Sequence, residues 1–129
     1  GAVLRTAAAS GYDDIYLCGC ADPFSAKSLR AGMSAQYVLN IFEGEREKIL
    51  DLLSCCQLVC ADMSGENVFT ADISEKHALV LGSEGCGVSS AARMRCEKTV
   101  SIPMKNNMES LNVAVSAGIL MYLMGKNNF

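Results

Sequence analysis

The chain has 129 residues, half of them hydrophobic, with two prolines and a formal net charge of −3. That is enough apolar chain for one domain with a sizeable core. The acidic balance excludes a protein that holds nucleic acid through its overall field, because neutralising phosphates takes clustered Lys and Arg. No apolar run reaches the roughly 18 to 20 residues of a bilayer span, and the longest, Val113 to Met124, is interrupted by Ser116 and Gly118.

Nor does the chain open with a charged segment followed by an apolar one, so the expectation is a soluble cytoplasmic protein with no membrane partner. Seven cysteines, an odd number, lie mostly in apolar runs such as Ile15 to Cys20 and Leu52 to Cys60. Buried free thiols in a reducing compartment are expected there. If nucleic acid is a partner, local gathering of Arg5, Lys27, Arg30, Arg93, Arg95, Lys98 and Lys105, a preceding region or a second subunit has to supply the contacts. Because Gly1 stands directly inside a helical pattern, a preceding region is expected.

Taken in order, Gly1 to Ser10 is Ala-rich and closes at Gly11, which suits the left-handed position after a helix. Ile15 to Cys20 fits a buried strand, Asp22-Pro23 a turn, and Ser25 to Ala31 a short helix. A strand is expected at Val38 to Phe42. Glu45 to Cys56 places Ile49, Leu52, Leu53 and Cys56 at helical spacing. Strands follow at Leu58 to Ala61 and His77 to Leu81, then glycines, a short helix after Ser89, and a strand at Thr99 to Ile102. A polar loop from Met104 to Glu109 leads into a closing helix from Ser110 to Met124. Strands alternating with helices imply a mainly parallel sheet covered on both faces.

Three segments carry chemistry: GAVLRTA from Gly1 to Ala7, LVLGSEGCG from Leu79 to Gly87, and SIPMKNNMESLNVAV from Ser101 to Val115. In the second, a strand runs into Gly82, Gly85 and Gly87, where a ligand can approach the backbone closely. A plain turn explains the same glycines. The loop has neither the Lys-Ser/Thr of a P-loop nor the GxGxxG of a dinucleotide fold, which counts against a nucleotide-dependent oxidoreductase. In the third, Asn107 or Ser110 can simply cap the closing helix. No CxxC pair is present and His77 is the one histidine, so no metal site is expected. Met121 and Met124 read as core or dimer surface.

The ordered combination resembles the SpoU/TrmH family of RNA ribose 2'-O-methyltransferases within the SPOUT class. Its motifs are a GA-hydrophobic-hydrophobic-RTA helix, a hydrophobic-LGSEG-x-G loop, and IPM followed by ESLNV and a small-residue helix. Asp22-Pro23-Phe24-Ser25 with Lys27 and Arg30-Ala31 resembles the family's DPYSPK and RAS run. The Asn that precedes the first motif in the family would lie before Gly1.

The resemblance implies a SPOUT-type α/β fold with a deep C-terminal trefoil knot, a homodimer, and one catalytic domain over residues 1–129 from which an N-terminal RNA-binding region is missing. It implies S-adenosylmethionine as cofactor, contacted by backbone at Gly82, Ile102 and Leu111, with Ala61, Leu81, Gly87, Met104 and Val113 as neighbours. Arg5, acting across the dimer, would orient the ribose 2'-hydroxyl or its phosphate. Glu84, Ser110 and Asn112 match the other polar positions, with Glu84 accepting a proton or holding Arg5. Without the motifs, Arg5 reads as a surface ion pair and Glu84 as a turn carboxylate. The substrate implied is structured RNA, ribosomal ahead of transfer RNA; a knotted dimer that binds RNA or cofactor without catalysis is the alternative.

Overall fold

A computed structural model describes residues 1–129. The elements are α1 (Ala2–Ser10), β1 (Asp14–Leu17), α2 (Ala26–Gly32), a 3-10 turn at Ala35–Tyr37, β2 (Asn40–Glu43), α3 (Arg46–Leu52) and a second 3-10 turn at Leu53–Cys55. They continue with β3 (Gln57–Asn67), β4 (His77–Val80), α4 (Ser90–Arg95), β5 (Lys98–Ser101), α5 (Val113–Met124) and a closing 3-10 turn at Lys126–Asn128. No helix is long and apolar enough to cross a membrane.

Every strand pair is parallel, as the alternation of strands and helices predicts. The strands form two sheets: β1 with β2, and β3 at the centre of the order β4-β3-β5. Alternation along β3 sends successive side chains to opposite faces. Leu58 and Cys60 pack with Leu50, Val88 and Ala92 beneath α3 and α4, whereas Val59 packs with Val68, Val100, Leu120 and Met124 beneath α5. The larger sheet is therefore covered on both sides, and each buried Val or Leu there contributes about 1.5–3 kcal/mol of transfer free energy. Ala7 of α1 meets Ala117 and Met121 of α5, so small residues let the first and last helices approach closely. Met121 and Met124 are both core residues.

Helix ends follow local chemistry. Gly11 closes α1 in the left-handed region at φ 85°, as its lack of a Cβ permits. Ser25 and Ser89 cap α2 and α4, accepting the amides of Ser28 and Ala92.

Four expectations are corrected. Val38 does not begin a strand: a 3-10 turn occupies Ala35–Tyr37 and β2 starts at Asn40, where pairing with Asp14 becomes available. The third helix stops at Leu52, short of Cys56, and tightens into a 3-10 turn. The closing helix starts at Val113, three residues later than Ser110, because Asn112 and neither Asn107 nor Ser110 caps it. Most cysteines are not buried. Cys18, Cys20, Cys55 and Cys86 are exposed and only Cys60 is fully buried, since β1 ends at Leu17 and α3 at Leu52, short of the first three, and Cys86 stands in the glycine loop after β4.

Candidate functional site

A cleft of about 140 Å³ opens where the register break within β3 and the carboxyl end of β5 meet the approach to α5. In open parallel sheets this is where ligands are held. Val100 and Leu120 form its base, and Ala61, Asp62, Met63, Ser101, Ile102, Met104, Ser110, Leu111 and Ser116 complete the lining. A larger hollow of about 210 Å³ lies near His77 and Lys126, but none of the motif residues lines it.

The cleft exists because β3 changes register. Ala61 and Glu66 both pair with Val100, so residues 62–65 bulge out of the ladder. Asp62 anchors that bulge: its Oδ1 accepts the Ser64 hydroxyl at 2.6 Å and the Ser64 amide at 3.0 Å. These bonds, and then the Arg93 guanidinium paired with it, hold the Asp62 carboxyl below the usual carboxylate range. The Asp62 side chain and its bulge were missed in the sequence, although an Asp directly after a buried strand is a signal for a strand-end site.

On the other side, the chain from Ile102 to Leu111 is nearly free of internal pairing. Its one backbone hydrogen bond runs from the Met108 amide to the Lys105 carbonyl at 3.2 Å. Backbone donors and acceptors on this stretch are thus open to a ligand, beside the apolar side chains of Ile102, Met104 and Leu111. Most of this stretch is exposed, so its peptide groups are hydrated when free and available to a ligand, and beside apolar side chains they suit a planar heterocycle read along its polar edge.

The glycine loop stands next to this rim. The Gly87 amide donates to the Ser83 carbonyl at 2.9 Å, and the Cys86 amide to the Ser83 hydroxyl at 3.2 Å. A Cβ on Gly82 would fall 1.9 Å from the Gly87 carbonyl carbon, so no larger residue fits there without moving the backbone. From this loop, Glu84 Oε1 accepts the side-chain amide of Asn112 at 3.2 Å. The same Asn112 takes the Ala114 and Val115 amides on its Oδ1.

Of the eight residues expected around the cofactor, Ala61, Ile102, Met104 and Leu111 line the cleft, together with Ser110. Leu81, Gly82, Gly87 and Val113 do not line it: Leu81 packs into the cores beneath α5 and α1, and Val113 opens α5. Glu84 and Asn112 are brought together, but Glu84 does not hold Arg5 within the chain. Arg5 is exposed on α1 and enters none of the ion pairs, so the surface-pair explanation for it is not realised.

Solved structures share this arrangement over almost the whole chain. The SpoU methyltransferase AviRb from Streptomyces viridochromogenes, crystallised with AdoMet, superposes with a TM-score of 0.90 at 28% identity, covering 98% of this chain and 54% of that one. An AdoMet-bound rRNA methyltransferase from Sinorhizobium meliloti gives 0.92 at 26% identity over 99% of this chain and 51% of that one. The parallel α/β fold is that of the SPOUT methyltransferase class. Within it, the chain belongs to the SpoU rRNA Methylase family, whose model matches residues 1–122. The 23S rRNA (guanosine(2553)-2'-O)-methyltransferase RlmP of Bacillus subtilis (strain 168) is 32% identical over 126 residues, which is 95% of this chain and 51% of the relative. The chain thus spans about half the length of the curated relatives it matches.

Proposed function

We propose that this chain is the catalytic domain of an S-adenosylmethionine-dependent methyltransferase acting on a ribose 2'-hydroxyl of structured RNA, ribosomal RNA ahead of transfer RNA. The observation that carries the reading is the cleft between the register break of β3 and the end of β5, rimmed by the almost unpaired backbone of residues 102–111 and lined by Ala61, Ile102, Met104 and Leu111. That combination of free amides and carbonyls with apolar walls fits an adenine nucleoside, and the names of the relatives agree with it. Gly82, Gly87, Leu81 and Val113 support the rim from the glycine loop and the start of α5.

When bound, the cofactor supplies an electrophilic methyl group on its sulfonium. The protein has to hold a weak hydroxyl nucleophile in line with it and relieve that hydroxyl of its proton. Arg5, a permanent cation with no ion-pair partner in its own chain, positions the 2'-hydroxyl or the adjacent phosphate by charge and hydrogen bonding. In the reading we favour it does so across a homodimer, meeting the Glu84, Ser110 and Asn112 group of the other subunit. Glu84, steadied by Asn112, either takes the proton or anchors that arginine. The deep trefoil knot that the family resemblance implies, and a cytoplasmic location with its RNA, belong to the same reading.

Calorimetric titration separates this function from the oxidoreductase class. Saturable binding of S-adenosylmethionine without binding of NADH is expected. Binding of NADH and not of S-adenosylmethionine by the folded protein would sink the proposal.

A further inference from the structure

The charges of this acidic chain are unevenly placed. From Pro23 to Phe42 there is no Asp or Glu, although the molecule carries a net charge of −3. Of the cations outside this stretch, Arg46, Lys48, Arg93, Arg95 and Lys98 pair with carboxylates, whereas Arg5, Lys76, Lys105 and Lys126 stand apart from one another in the sequence and enter no ion pair. Lys27 and Arg30 on α2 are exposed and enter no ion pair. Lys27 also sits in the first turn of its helix, where a cation works against the helix dipole, so local helix stability does not explain it.

Two aromatic rings stand beside these cations. Tyr37 is 74% exposed and Phe24 is 50% exposed. Both are held on a fixed frame. The Gln36 side-chain amide, itself buried, donates to the Pro23 and Ser28 carbonyls at 2.9 Å each, tying the start of α2 to the following 3-10 turn. Phe24 and Tyr37 each stand one residue from an end of the Gln36 to Pro23 bond. Met33 and Ser34, at φ 49° and 69°, reverse the chain between the helix and the turn. Inside, Ala35 and Leu39 pack on Leu4 of α1, the helix that carries Arg5. The outward side of the turn presents Tyr37 and, directly after it, Val38.

We propose that this face of α2 and the 35–37 turn is an RNA-docking surface, on which Lys27 and Arg30 take phosphates and Phe24 and Tyr37 stack on unpaired bases. The inference rests on the reading of the chain as an RNA methyltransferase. Unpaired cations interleaved with exposed aromatics, with the Asp22 carboxylate at the edge held on the Phe24 amide at 2.9 Å, match the chemistry of single-stranded RNA: phosphate charge is met by the cations, and any base offers a flat face to the rings. Met33 and Val38, 66% and 73% exposed, add apolar area to the same segment, so a second copy of the chain is the other occupant that the test has to read. Because α1 lies directly beneath the turn, RNA seated here continues toward Arg5.

The test is fluorescence anisotropy with a fluorescein-labelled uridine homopolymer of about 20 nucleotides at several salt concentrations. The paired substitution Lys27→Ala with Arg30→Ala is expected to weaken binding and to lower the slope of log affinity against log salt by about 1.4. Tyr37→Ser is expected to weaken binding by at least about fivefold with the slope unchanged. The paired change Lys76→Ala with Lys126→Ala, at unpaired cations on another part of the surface, should leave affinity within about twofold of the unsubstituted protein. Equal losses from both lysine and arginine pairs would mean diffuse attraction and overturn the proposal, as would unaltered affinity in all variants or no RNA binding at low salt. Sedimentation of the unsubstituted and Tyr37→Ser proteins reads the other occupant: a dimer dissociated by Tyr37→Ser, with RNA affinity unaffected, would assign the face to a second copy. S-adenosylmethionine titration of the same samples keeps the two readings apart, since its failure removes the methyltransferase function while unchanged cofactor binding with unchanged RNA affinity removes only the docking surface.

Discussion

The side-chain amide of Asn112 donates to Glu84 Oε1 across 3.2 Å, joining the glycine loop to the start of α5. Because Asn112 Oδ1 also takes the Ala114 and Val115 amides, one residue both starts the helix and fixes the loop carboxylate. Asn112→Asp keeps the cap acceptor but removes the donor and sets a like charge against Glu84. Asn112→Ala loses both, at a cost of about 1 kcal/mol for the cap. Urea unfolding should therefore show Asn112→Ala destabilised by roughly that amount, and Glu84→Ala with Asn112→Ala should be less than additive. Strict additivity would separate the two residues.

Gly82 is the tightest point of the loop. Its missing Cβ leaves room for the Gly87 carbonyl carbon, 1.9 Å from where a Cβ would lie. Gly82→Ala has to displace backbone, so a loss of about 3 kcal/mol or more in unfolding free energy is expected. Calorimetry on whatever folded fraction remains should show weakened S-adenosylmethionine binding. Normal stability in this variant would contradict the packing described.

The thiols divide by position. Cys18, Cys20, Cys55 and Cys86 are exposed, whereas Cys60 is buried and Cys96 is half-buried beside it. Burial, followed by the neighbouring Cys60, pushes the Cys96 thiol from 9.0 up to about 12. With Ellman's reagent near pH 8, a fast phase from the exposed set and a slow, unfolding-limited phase from Cys60 and Cys96 are expected. The raised value also sets a sign. Cys96 contributes its full stability below pH 9, where the unfolded thiol is still protonated, and that contribution is lost as the pH climbs from 9 to about 12. Cys96→Ala should accordingly flatten the alkaline fall in stability.

Arg5 offers the sharpest kinetic test. Exposed, unpaired and not among the residues that line the strand-end cleft, it should affect turnover and not cofactor affinity. Arg5→Ala is expected to lower the rate of methyl transfer by about 10²–10³-fold with S-adenosylmethionine binding unchanged. Arg5→Lys should recover part of the rate, since it restores charge without the planar fork. Single-turnover kinetics with labelled cofactor measures this, and undiminished transfer would remove Arg5 from the mechanism.

Much of this was legible in the sequence because it lies in short-range patterns. Gly11 closes its helix for lack of a Cβ, and the order of the GAVLRTA, LGSEG and IPM-ESLNV segments is that of the family whose model matches residues 1–122. What escaped depends on pairing between distant segments. The slip that sets both Ala61 and Glu66 against Val100, and so shapes the cleft, is marked locally only by Asp62 after the apolar run, and the register itself depends on the distant β5. The start of α5 moved to Val113 because three residues compete for one cap, and the Glu84 amide bond favours Asn112. Apolar runs around the cysteines suggested burial, but strand and helix ends fell one to four residues before the thiols.

The most direct test of the central claim is nucleoside mass spectrometry of 23S ribosomal RNA after incubation with the purified full-length protein and S-adenosylmethionine. The account predicts a new 2'-O-methylated nucleoside that is absent when the cofactor is omitted. Methylation confined to a base, or none in either ribosomal or transfer RNA from a preparation that binds the cofactor, would contradict it.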